Sequence, residues 1–201
     1  MKSADAAFDD ALRALESGQA DRAVHALRVA LGDNPRDLEA ASLLAELLRE
    51  RDAPREAEAV LVALLRDPPS APAAAVRKLP QVWAALADVR LALGDPAGAA
   101  RACHRGLKLA PAHAELHWLL GNAFLDADAP KEAAASYQRA LVTRPFDPET
   151  WHNLGVALER LGDAEAASRA FTTWERLATP LAEQPPPDFG RPVLDDGGEP
   201  G

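Results

Sequence analysis

Between Trp151 and Trp174 the apolar positions fall three and four residues apart in two runs. Trp151, Leu154, Val156, Leu158 and Leu161 make the first run, and Ala166, Ala167, Ala170, Phe171 and Trp174 make the second. A turn of 3.6 residues gathers each run into one stripe, so the pattern predicts a pair of amphipathic helices. Gly162-Asp163 separates them. Gly162 tolerates the positive φ that ends a helix, and a proline such as Pro145 stops the second helix of a pair.

The same pattern recurs along the chain. Ala23, Ala57, Ala99, Ala133 and Ala167 stand 34, 42, 34 and 34 residues apart, and Leu31, Leu65, Leu107 and Leu141 keep that rhythm. So do Pro35, Pro69, Pro111 and Pro145. One insertion of eight residues, 72–79, accounts for every spacing of 42. The period divides the chain into units 4–37, 38–71, 80–113, 114–147 and 148–181. A lone two-helix hairpin cannot cover its own apolar faces, so the units must stack. The insertion reads as a spacer, with Val76-Arg77-Lys78 in a short helical turn stopped by Pro80. In the first unit Asp10 falls where Leu is expected, while Phe8, Leu12 and Leu15 form the stripe, which predicts a first helix shifted by one residue.

Several repeat positions carry a recognisable set of residues. The fourth unit has Leu120-Gly121, Phe124, Ala133, Tyr137, Ala140 and Pro145, with His117 ahead of them. The fifth has Trp151, Leu154-Gly155, Ala167 and Phe171, and the third has Trp83, Leu86, Ala99 and Pro111. This set resembles the signature of the tetratricopeptide repeat family, in which a Trp stands where His117 does. The resemblance implies an all-α fold, a right-handed α-solenoid of about five helix-turn-helix units.

Composition fits that fold and narrows the chemistry. Hydrophobic residues make up 48% of the chain but aromatics only 5%, and most of the apolar content is Ala and Leu, both strong helix formers. The formal charge is −9, which disfavours nucleic acid and anionic membrane as partners. No stretch reaches the 18 or so apolar residues of a membrane span, and the N-terminus meets Asp5 before any apolar run, unlike a secretory signal. With Cys103 as the sole cysteine no intrachain disulfide forms, and the expected location is the reducing cytoplasm.

The array should end with the fifth unit. Glu175 stands where the other units place Leu31, Leu65, Leu107 or Leu141 toward a neighbour, with Ser168 and Thr172 beside it. Residues 182–201 are rich in Pro, Gly and acids, carry a net charge of −4 from five acids and one base, and are expected to be disordered. Phe189 is a candidate to fold back over Trp174.

No phosphate loop, dinucleotide fingerprint or nucleophile elbow is present, so neither catalytic residues nor a cofactor is expected. His113 and His117 are four apart, a metal-ligand spacing, but His113 precedes the helix and no third ligand accompanies them. Cys103 occupies a helix position where an aromatic is usual and reads as a small buried hydrophobe.

The resemblance also implies that the first helix of each unit lines a concave groove. Its inward positions hold Glu46, Arg49 and Glu50 in the second unit and Asp88 in the third. The fourth contributes Trp118, Asn122 and Asp126, and the fifth His152, Asn153, Val156, Glu159 and Arg160. Acids outnumber bases, which favours a basic or amphipathic segment of a client protein. Asn122 and Asn153 stand where family members that grip a terminal carboxylate place asparagines. Trp118 replaces the expected Lys and Asp88 and Asp126 make the site negative, so that role is not expected here. Trp118 is either core or the main anchor for a partner. The expected function is an adaptor or assembly scaffold acting as a monomer, with a homo-oligomeric scaffold or a non-catalytic subunit of an enzyme complex as alternatives.

Overall fold

The computed structural model describes residues 3–66 and 78–179. Most of the insertion and the acidic C-terminal stretch, with the expectations of disorder and of Phe189 over Trp174, lie outside them. The described residues form ten α-helices and no strand. They are α1 (Ala4–Glu16), α2 (Ala20–Asp33), α3 (Leu38–Glu50), α4 (Pro54–Arg66), α5 (Leu79–Ala92), α6 (Pro96–Leu109), α7 (Ala114–Asp126), α8 (Pro130–Thr143), α9 (Pro148–Leu161) and α10 (Ala164–Ala178). Odd and even helices pair as antiparallel hairpins.

Each hairpin turn is built the same way. Gly18, Asp52, Gly94, Asp128 and Gly162 all take positive φ, between 53° and 85°. The residue after each donates its N–H to the carbonyl five residues back, as from Asp95 to Arg90 and Ala129 to Phe124, both at 2.8 Å. This bond satisfies a carbonyl that the helix end would otherwise orphan. Helix starts are capped by side chains: Asp37, Asp95 and Asp163 accept N–H bonds from the first turns of α3, α6 and α10.

Of the turn expected over Val76-Arg77-Lys78, Val76 and Arg77 lie outside the described residues, and Pro80 does not stand in a loop. It stands in the first turn of α5, where the missing N–H costs nothing and the fixed φ suits the helix. Nor is α1 shifted. Ala7, Ala11 and Ala14 are its buried residues, Phe8 and Leu15 flank them, and Leu12 is exposed. The stripe is therefore the small one, because α1 lies close against α2. Asp10 pairs outward with Arg13 at 2.6 Å.

One position in each hairpin sets how closely its helices meet. Gly121 and Gly155 face the rings of Tyr137 and Phe171, and a Cβ at either would sit 2.4 or 2.6 Å from a ring carbon. The equivalent first-helix residues elsewhere are Ala11, Ala45 and Ala87, and their repeat-equivalent second-helix residues are Leu27, Leu61 and Cys103. All six are fully or almost fully buried. Glycine appears where the opposing position holds a ring, alanine where it holds something smaller.

Successive hairpins stack through each second helix onto the next first helix. First helices also touch one another along the row α3–α5–α7–α9, whereas no second helix makes a comparable contact with the next. The stack therefore curves, with first helices inside and second helices splayed outside. Buried residues of α1–α7 make one core and those of α8–α10 another, and Trp118 and Phe124 pack against both.

Candidate functional site

Three first helices enclose a cavity of about 380 Å³ on the inner face, with no second helix contributing. Ser42, Ala45, Glu46 and Arg49 come from α3, Gln81, Ala85, Asp88 and Val89 from α5, and Glu115, Trp118 and Leu119 from α7. Three carboxylates face one guanidinium there, and the Arg49 Nε lies 3.3 Å from the Asp88 carboxylate. Glu46 and Glu115 are exposed and make no ion pair among the described residues, so the cavity carries excess negative charge.

Trp118 is half-buried at the centre of this wall. Its ring also lines a second cavity of about 170 Å³ toward α8 and α9, where Arg144, Asp147 and Glu149 gather. Its Nε1 is buried and has no hydrogen-bond partner among the described residues. Trp118 is thus both core, bridging the two clusters, and part of the inner wall.

Asn122 and Asn153 are engaged with their neighbours. The Asn122 carbonyl oxygen accepts from the Tyr137 hydroxyl at 2.7 Å and from the Asn153 amide at 3.2 Å. The Asn153 oxygen lies 3.3 Å from His152 Nδ1. This chain of polar contacts ties α7, α8 and α9 together. Burial pushes the Tyr137 hydroxyl above its ordinary range, and the Asp126 carboxylate adds to the effect. Arg160 donates to the Leu125 carbonyl at 3.2 Å, a cation at the C-terminal end of α7.

His152 turns toward its own hairpin, with its ring edge-on to Phe171 and Trp174 at centroid distances of 5.8 and 4.9 Å. Val156 is half-buried, and Glu50 and Asp126 are exposed on the inner helices but outside the cavity. Of the residues expected to line the groove, the structure gathers Glu46, Arg49, Asp88 and Trp118 into one cavity. It places Asn122, Asn153 and His152 in a separate polar chain. Sequence reading missed Glu115 and Gln81, which sit one turn before Trp118 and one before Ala85. Neither stands at an inward position of the repeat pattern, and only the packing of α5 against α7 shows that they reach the cavity.

The two histidines considered as metal ligands have other tasks. His113 Nδ1 caps α7 by accepting the Leu116 N–H at 3.4 Å. His117, 6% exposed, sets its Nε2 2.8 Å from the Pro111 carbonyl. Trp151, at the same repeat position, donates its Nε1 to the Pro145 carbonyl at the same distance. His117 therefore substitutes for the usual Trp by making the same bond, with Nε2 as the donor. Cys103 is fully buried, and burial pushes its thiol up to about 12, which leaves it an inert part of the core.

A curved stack of helical hairpins with a hollow inner face defines an interaction-repeat protein. Tetratricopeptide repeat models match residues 14–89, 84–148 and 136–167, and the chain belongs to that family. Solved structures agree on the fold. MamA from Desulfovibrio magneticus RS-1 (residues 41 to the end) is 19% identical and superposes with a TM-score of 0.74, over 87% of this chain and 94% of that one. YrrB, described as a TPR protein with an unusual peptide-binding site, is 16% identical with a TM-score of 0.69, over 87% and 86% of the two chains. PilF of Pseudomonas aeruginosa is 18% identical with a TM-score of 0.70, over 89% and 78%. No curated protein matches the sequence.

Proposed function

We propose that this chain is a non-catalytic adaptor or assembly scaffold, acting as a monomer, that holds a basic or amphipathic segment of a client protein against its inner face. The observation that carries this reading is the cavity formed by α3, α5 and α7. It combines two unpaired carboxylates, Glu46 and Glu115, with the half-buried Trp118 in its wall. A lysine or arginine entering there meets negative charge in a partly desolvated setting and an aromatic ring suited to a cation. YrrB's description as a peptide binder supports the class of ligand. A reducing, cytoplasmic setting fits an interior whose one cysteine is a buried free thiol.

The test is a titration of the full chain with a labelled amphipathic peptide carrying several lysines and one leucine. Binding should weaken steeply with salt and fall tenfold or more in Glu46→Lys/Glu115→Lys, both exposed and so harmless to the fold. Equal binding by that variant would remove the inner cavity from the function.

A further inference from the structure

The outer side of the stack carries a site of opposite sign. Because second helices are splayed, two joints leave a cleft between neighbouring second helices, floored by the first helix that lies between. The joint of α2, α3 and α4 has a cleft of about 390 Å³ with Leu31, Leu44 and Leu48 in its wall, and Arg28 and Glu56 pair across it at 2.5 Å. The joint of α4, α5 and α6 has one of about 410 Å³. Its floor is again apolar, with Val62, Leu65, Leu86 and the half-buried Trp83, but its rim is Arg66, Arg90, Arg101 and Arg105.

The repeat supplies an internal control. At spacings of 34 and 42 residues, those four arginines stand where the first joint has Gly32, Leu48, Ala59 and Ala63. The bridging Glu56 is replaced by Gly98. In the following joint the same positions hold Lys108, Phe124, Ala135 and Arg139. The cluster is therefore particular to one joint, in a chain whose net charge is −9.

Only one of the four serves the fold. Arg90 lies flat against α4 and α6, bonded to Glu58 at 2.9 Å and to the Gly98 carbonyl at 3.1 Å. Arg101 is 3.8 Å from Asp95 and 70% exposed, and Arg66 and Arg105 are exposed without an ion pair among the described residues. Three guanidinium groups thus surround an apolar hollow with a Trp in its wall and no acid among its described lining residues.

We propose that this outer cleft docks an acidic peptide segment that presents one aromatic or aliphatic side chain between Asp or Glu residues. The apolar side chain fills the floor against Trp83 and Leu86. The flanking carboxylates take paired hydrogen bonds from Arg101, Arg105 and Arg66, a geometry that guanidinium groups favour. With a basic segment on the inner face, the chain becomes a bridge between two partners of opposite charge.

The experiment uses the full chain and a fluorescein-labelled hexapeptide, Asp-Glu-Phe-Asp-Glu-Leu, read by anisotropy. Saturable binding is expected, weakened tenfold or more by Arg101→Glu/Arg105→Glu and unchanged by Glu46→Lys/Glu115→Lys. A saturating basic peptide should not displace it. Absence of saturable binding overturns the proposal, as does displacement by the basic peptide, which would mean one groove serves both. Concentration-dependent dimers abolished by the arginine reversals would seat a second copy in the cleft instead and also overturn it. Binding that appears only in a chain ending at Leu181 would assign the cleft to residues 182–201 rather than to a partner. Failure here leaves the inner-face reading standing, because the basic peptide and its variant test that separately.

Discussion

The contact between Gly121 and Tyr137 shows how one missing methyl fixes the distance between two helices. A Cβ at Gly121 would lie 2.4 Å from the ring, and the ring is fully buried with no room to retreat. Gly121→Ala should lower stability by about 1–3 kcal/mol, the usual penalty for overpacking a filled core. In Gly121→Ala/Tyr137→Leu the fourth hairpin takes the pairing that the first two use, Ala11 with Leu27 and Ala45 with Leu61. The double variant should therefore be less damaged than the sum of its singles, which chemical denaturation of all four proteins checks. Much of this was legible in the sequence, since Leu-Gly and the aromatic recur at fixed spacing. The bond of His117 was not. A histidine where the repeat wants Trp gives no sign of its partner until the Pro111 carbonyl is found 2.8 Å away.

At the scale of the helix and its turn, the period alone placed all ten helices, because the apolar stripes and the turn residues repeat together. The position of φ > 0 is shared by all five turns, and two of them fill it with aspartate. An L-residue there strains its Cβ against the backbone, whereas glycine does not. Asp128→Gly should raise stability by about 1 kcal/mol, measurable as a higher denaturant midpoint with an unchanged slope. An unchanged or lower midpoint would mean that the Asp128 side chain stabilises the turn more than its φ costs. The stripe of α1 was misread because Phe8, Leu12 and Leu15 outweigh alanines on any hydrophobicity scale. What the interface needed was small residues, and closeness of approach is a property of the pair of helices. His152 shows the same limit: its repeat position points inward, yet α10 offers Phe171 and Trp174, and the ring turns to them.

Taken as a whole, the stack has two cores joined through Trp118 and Phe124. Repeat arrays unfold as coupled neighbours, and the coupling is as strong as the joint. Trp118→Ala should therefore loosen α8–α10 more than α1–α6. Native-state hydrogen exchange would show amides of α8–α10 exchanging at least tenfold faster while those of α3 change little. A uniform acceleration would mean that the two cores act as one. That first helices line the inner face was legible through the family resemblance. The composition of the cavity was not, because Glu115 and Gln81 reach it only through the way α5 and α7 lie against each other. The basic outer cleft was invisible for a related reason: Arg66, Arg90, Arg101 and Arg105 are scattered over 40 positions and meet only when the hairpins stack.

The splayed outer helices give the molecule one soft direction. Bending the arc tighter would drive α3, α5, α7 and α9 into contacts already made, while flattening it closes empty space between even-numbered helices and opens only the sparse contacts among first helices. A guest lodged in an outer gap acts as a wedge that resists flattening. Whatever sits there therefore holds the hollow side in its curved shape, so loading the back of the arc stiffens the front.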